Sequence, residues 1–178
     1  MIRMSILAIV SQFITYATLY GFAPIVAKNL GADSFQIGLM SMIGTIPGLF
    51  VSPLCATVLL RKIGPGNIVA GGFFLAALAC GLVPFSTSLG FFYFLQFIGG
   101  VGRGAVFPLL MGMSVEGVPS ERRATVMGFY QAFYSFGIFV GPAVAGFIGN
   151  YAGMNAAFFI TGIIGLAGME AARRILRR

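Results

Sequence analysis

The sequence predicts an all-α polytopic membrane protein of six transmembrane helices, arranged as two inverted three-helix repeats in one bundle over residues 1–178. Three observations lead there. The chain is 58% hydrophobic and 8% charged, with a mean hydropathy of +0.98, far from the composition of a soluble domain. Six apolar stretches, at about 4–27, 35–59, 66–86, 88–113, 124–149 and 154–172, are each long enough to cross the hydrocarbon core as a helix. Basic residues gather on alternate loops.

The breaks between stretches carry turn chemistry. The first stretch follows Arg3 and is too long for the apolar region of a cleaved signal peptide, so it reads as a retained span. Gly31 can end it in a left-handed conformation. Asp33 or Ser34 can cap the second, with Gln36 reaching back if Asp33 is the cap. Ile63-Gly-Pro-Gly66 makes a tight turn into the third, and Ser86–Ser88 a short loop into the fourth. Pro119-Ser120-Glu121 opens the fifth with an acid at its positive dipole end. Asn150–Asn155 leads into the sixth, which closes on basic residues. No loop has room for a soluble domain.

The formal charge of +7 does not point to nucleic acid, because of where it sits. Arg3, Arg61, Lys62, Arg122, Arg123, Arg173, Arg174, Arg177 and Arg178 fall at the ends of the chain or after even-numbered spans, with Lys28 alone on the other side. That is the positive-inside pattern, and it places both termini in the cytoplasm of a multi-pass protein of the cell membrane. The basic C-terminus can also touch anionic lipid heads. Cys55 and Cys80 fall in different spans and opposite halves of the bilayer, so they read as packing residues rather than a disulfide.

An internal repeat supports the inverted arrangement. Gly48-Leu-Phe-Val-Ser-Pro-Leu-Cys-Ala56 in the second span aligns with Gly137-Ile-Phe-Val-Gly-Pro-Ala-Val-Ala145 in the fifth at one constant offset. The two spans run in opposite directions, as inverted repeats within secondary transporters do.

At these residues the chain resembles the major facilitator superfamily, as one six-helix half of its twelve-helix fold. Pro53 to Gly64 follows the outline of the family's second-to-third-helix loop signature, keeping Leu59, Lys62 and Gly64 and lacking its Asp. Gln96-Phe-Ile-Gly-Gly-Val-Gly102 is similar to the fourth-helix signature, with Gln96 in place of its Arg. Gly137, Gly141, Pro142, Ala145 and Gly146 match the Gly-Pro signature of family exporters. Loss of the Asp and of the fourth-helix Arg is more typical of the C-terminal half. The resemblance implies that spans 1 and 4 line a central cavity, that 2 and 5 flank the contact with another half, and that 3 and 6 support from outside.

The residues themselves agree with that division. Span 1 places Gln12, Tyr16 and Tyr20 at i, i+4 and i+8, and span 4 places Tyr93, Gln96, Gly100 and Arg103 on one face. Span 5 adds Tyr130, Gln131 and Tyr134, whereas spans 3 and 6 carry almost nothing polar in mid-span. Arg103 is the most informative residue. A charge near the bilayer midplane costs between about 3 and 10 kcal/mol, and the whole chain offers four acids, Asp33, Glu116, Glu121 and Glu170. Gln96 and Arg103 lie on one face about 10 Å apart along the axis. Arg103 reads either as an anchor for an anionic solute group or gating partner, or as a structural residue bonding carbonyls opened by its flanking glycines. The tyrosines read as solute contacts or as packing residues with one hydrogen bond each. Gly137, Gly141 and Ala145, and Gly100 with Gly104, form small-residue faces for close packing. Pro142 can bend span 5, and Pro53, Gly64 and Gly146 complete the gating and packing set.

Enzyme chemistry lacks its usual residues: there is no His, no carboxylate pair at helical spacing, and no cluster with metal-ligand spacing. No cofactor or metal is expected. The expected partners are the bilayer, a small and possibly anionic solute, and a second six-helix half. That half is either a parallel second copy or another chain, unless the protein is a non-transporting interaction subunit or a truncated remnant.

Overall fold

The computed structural model describes residues 2–176. Arg177 and Arg178, counted above in the charge pattern, lie outside the described residues. Helices dominate, and five continuous helical stretches are long and apolar enough to cross a membrane: Ile2–Asn29, Ser34–Phe85, Leu89–Ser114, Ser120–Ala152 and Met154–Leu176. Six separate stretches were expected. The difference lies in Ser34–Phe85, whose 52 residues stay helical up to a break at Gly64, where φ is 77° and ψ 161°. Only glycine adopts that conformation readily, and Pro65 supplies the fixed φ that suits the start of the next helix.

Contacts on a third partner show that the chain reverses at this break. Gly44 and Gly48 lie against Gly100 and Gly104, in the same order along both helices. Gly72 lies against Val106 and Gly102, and Ala79 against Gly99, in the opposite order. We therefore label the arms α2 (34–63) and α3 (65–85), between α1 (Ile2–Asn29) and α4 (Leu89–Ser114), followed by α5 (Ser120–Ala152) and α6 (Met154–Leu176). The same reasoning makes α1 and α5 parallel, because Gly137, Gly141 and Gly149 meet Ile9, Phe13 and Phe22 in that order. It makes α3 and α6 antiparallel, through Gly162 on Ala77, Gly168 on Phe73 and Leu176 on Gly66. The pairs α1–α5, α2–α4 and α3–α6 map onto themselves when the first three helices are exchanged for the last three. That is the symmetry of an inverted repeat.

The helix ends follow from their sequences. Gly31 has φ of 87° and ends α1. Asp33 is the cap of α2: its side chain accepts from the Gln36 backbone N–H at 2.7 Å, and Gln36 Oε1 accepts from the Asp33 N–H at 2.9 Å. Both halves of a capping box are present. Ser88 caps α4 by accepting from the Phe91 N–H. At the start of α5 the Ser120 hydroxyl donates to Glu121 Oε1 at 2.8 Å. The Glu121 backbone N–H and this hydroxyl together hold the carboxyl below its usual range. Glu170 pairs with Arg174 at 2.6 Å, an exposed i, i+4 contact of small energetic weight. Cys55 and Cys80 are free and buried.

One feature of α1 was not foreseen. Its residues Tyr16–Phe22 form a π-helical turn, in which the Ala23 N–H donates to the Thr18 carbonyl. The cause is Pro24, which offers no N–H to the turn before it and whose ring would crowd the carbonyl four residues back. A second π-helical turn, Cys55–Leu59, follows Pro53 in α2.

Two apolar clusters form the interior. One gathers Leu7, Ile14, Phe73, Val106, Leu110 and Tyr130; the other gathers Ala27, Met40, Val83, Phe92, Leu95 and Phe158. Between them, on α1 and α4, lies a layer that contains Thr18, Gln96 and Arg103.

Candidate functional site

Glycine spacing builds the site. On α2 and α4 the paired glycines let backbones touch: a Cβ at Gly100 would stand 2.5 Å from the Gly44 carbonyl oxygen, and one at Gly104 would collide with the Gly48 Cα. So close an approach brings the long side chain of Arg103 within reach of the neighbouring helix. Its Nη2 donates to the Gly44 carbonyl oxygen at 3.0 Å. Gly99 leaves room for the other end of the guanidinium, since a Cβ there would lie 2.9 Å from Nη1.

In front of this contact opens a groove of about 190 Å³ formed by α1, α2 and α4. Gln12, Thr15, Leu19 and Tyr20 come from α1, Gly44, Thr45 and Gly48 from α2, and Gly100, Arg103, Gly104, Phe107 and Pro108 from α4. Arg103 is the single charged residue among them. The rest is apolar surface, hydroxyls, one amide and bare helix backbone. Such a groove can take an amphipathic molecule and offer one fixed cation to an anionic group.

The expected site residues are distributed unevenly about this groove. Gln12, Tyr20 and Arg103 line it. Tyr16 stands beside Tyr20, ring centroids 5.0 Å apart, so the π-helical turn presents both rings together. Tyr130 and Tyr134 reach the groove only through Phe107: Tyr134 meets it edge-on at 5.0 Å, and Tyr130 stacks on it at 6.4 Å. Tyr130 is fully buried, and its hydroxyl has no hydrogen-bond partner among the described residues. Gln131 is exposed on α5, away from the groove. Tyr93 donates to the Gln36 carbonyl at 3.1 Å, tying the start of α4 to the first turn of α2. Gln96 is 5% exposed and faces a small inner void behind Arg103, not the groove.

The packing set divides similarly. Gly137 and Gly141 sit where a Cβ would strike the Ile9 and Phe13 carbonyl oxygens of α1. Gly146 faces open space. Pro142 and Pro53 are exposed, and α5 runs on as one helix through Pro142. Sequence reading missed Gly44, Thr45 and Gly48 as groove residues. Their signal was available in the spacing Gly44-x-x-x-Gly48, which matches Gly100-x-x-x-Gly104 on the facing helix.

A family model described as Major Facilitator Superfamily matches residues 4–177. The chain belongs to the major facilitator superfamily. As a superfamily member with apolar helices of spanning length, it is a multi-pass protein of the cell membrane, in a family of membrane transporters. It is similar to the quinolone resistance protein NorA of Staphylococcus aureus (strain MRSA252), 24% identical over 143 residues, which are 80% of this chain and 36% of the relative. It is also similar to the multi-drug resistance efflux pump PmrA of Streptococcus pneumoniae serotype 4, 26% identical over 145 residues, 79% of this chain and 36% of the relative. The chain spans little more than a third of the length of these curated relatives. Its helix pairing fits one half of the superfamily fold.

Proposed function

We propose that residues 1–178 form a single six-span bundle that acts as one half of a secondary transporter, moving a small amphipathic solute by alternating access. The observation that carries this reading is the groove between α1, α2 and α4, open on one side and holding a lone cation, Arg103. A central cavity between two halves needs such an open wall on each half. Exposed apolar surface flanks it on α2, at Met42, Leu49 and Phe50, and on α5, at Phe129, Phe136 and Phe139. These helices can meet a second six-helix unit, in a parallel arrangement, while α3 and α6 pack on each other behind. The second unit is on the same polypeptide, another chain or a second copy. Arg103 would anchor an anionic group, with Gln12, Tyr16 and Tyr20 contacting the body of the solute.

The relatives' names, quinolone resistance and multi-drug resistance, make drug-like organic solutes the first class to test. Cells lacking their own efflux pumps would express the full-length protein and be loaded with a panel of quinolones and fluorescent organic anions. Lower steady-state accumulation, restored to the vector level by Arg103→Gln, supports the reading. Accumulation that matches the vector control for the whole panel, with the protein present in the membrane, argues for the non-transporting alternative.

A further inference from the structure

Arg103 faces two spaces, and the second is not part of the groove. Behind the guanidinium lies a void of about 10 Å³, bordered by Thr18, Cys80, Gln96 and Arg103 with apolar residues of α3, α4 and α6. That volume holds about one water-sized particle. Gln96 is 5% exposed, carries no hydrogen bond to protein, and borders this void and not the groove.

The hydrogen-bonding inventory of the void is weighted toward donors. A guanidinium carries five N–H donors and no acceptor, and the one protein bond of Arg103 goes to Gly44. The Gln96 amide adds two N–H groups on one end. The Thr18 hydroxyl spends its proton on the Ile14 carbonyl at 2.7 Å. No carboxylate borders either the void or the groove. The charge of Arg103 is therefore set in an apolar layer without an acid partner, where an uncompensated ion is costly. A water molecule would fill the void without neutralising it. A small anion would do both.

We infer that this void is a halide site, in which a chloride ion held by Arg103 and the Gln96 amide neutralises the buried charge. The ion is separate from any solute in the groove, and the inference stands whatever the groove carries. Larger oxyanions such as sulfate do not fit a water-sized space.

The test uses the full-length protein purified in detergent, with thermal unfolding followed in sodium gluconate, sulfate, chloride and bromide at matched ionic strength. Chloride and bromide should raise the midpoint saturably, by about 3 °C or more, and gluconate and sulfate should not. Gln96→Leu should abolish the halide response, whereas Gln12→Leu, on the groove side, should keep it. If Gln96→Leu does not fold, bromide anomalous scattering from crystals of the unsubstituted protein decides, with a peak expected between Arg103 and Gln96. The proposal is overturned by equal midpoints in all four salts, by a halide response that survives Gln96→Leu or is lost in Gln12→Leu, or by a water only at the site.

Discussion

Arg103 on α4 donates a 3.0 Å hydrogen bond to the carbonyl oxygen of Gly44 on α2, and this contact exists because neither Gly44 nor Gly100 has a side chain to hold the helices apart. The bond uses one of five donors and leaves the rest of the fork toward the groove and the inner void. Arg103 thus serves packing with one edge and is free to serve a solute with another.

The two roles separate under substitution. Arg103→Gln should lower transport per folded molecule at least about tenfold, because the charge-assisted bonds to an anionic group are lost. Arg103→Lys should keep part of the function, since the charge survives without the planar fork. Transport measured against membrane level and detergent stability checks this. A Gln variant that folds poorly but transports normally per molecule would leave Arg103 a packing residue alone.

Glycine contacts make a stability prediction with an internal control. Gly104→Val places a branched side chain against the Gly48 backbone and should destabilise the protein by about 1–3 kcal/mol or more, as overpacking does. Gly146→Ala meets open space and should be neutral or stabilise by up to about 1 kcal/mol, through the better helix propensity of Ala. Unfolding midpoints of the two purified variants test the pair. Equal destabilisation by both would contradict the α2–α4 contact.

Tyr130 carries a buried hydroxyl with no partner among the described residues, while its ring packs on Phe107 and Tyr134. Removing the hydroxyl alone takes away a polar group that gains nothing from the fold. Tyr130→Phe should therefore leave stability unchanged or raise it by about 1 kcal/mol. Loss of stability in a thermal melt would show that the hydroxyl has a partner in the assembled protein.

Topology follows from the charge pattern. Lys28→Cys and Asn150→Cys, each in a background without Cys55 and Cys80, should react with an impermeant thiol reagent added to intact cells. Lys62→Cys should react only after permeabilisation. Labelling at position 62 from outside would refute the positive-inside assignment.

Much of this protein was legible in its residues. Spanning helices need only length and apolarity, so five of the six expected stretches appear with ends shifted by at most four residues or so. Caps are local, and the bonds between Asp33 and Gln36 needed no tertiary information. The repeat of Gly48–Ala56 in Gly137–Ala145 announced the inverted pairing, and Arg103 announced a polar site in an apolar span. The tertiary structure decided the rest. Which face of a helix looks into a groove depends on its rotation against its neighbours, and helical spacing alone put Gln96 and Arg103 on one face without telling front from back. Packing turned Gln96 toward an inner void and left Arg103 bordering both spaces. The glycine contacts of α2 and α4 set how near the helices come, and that distance made the Gly44 carbonyl, invisible as a partner in sequence, the acceptor for the buried charge.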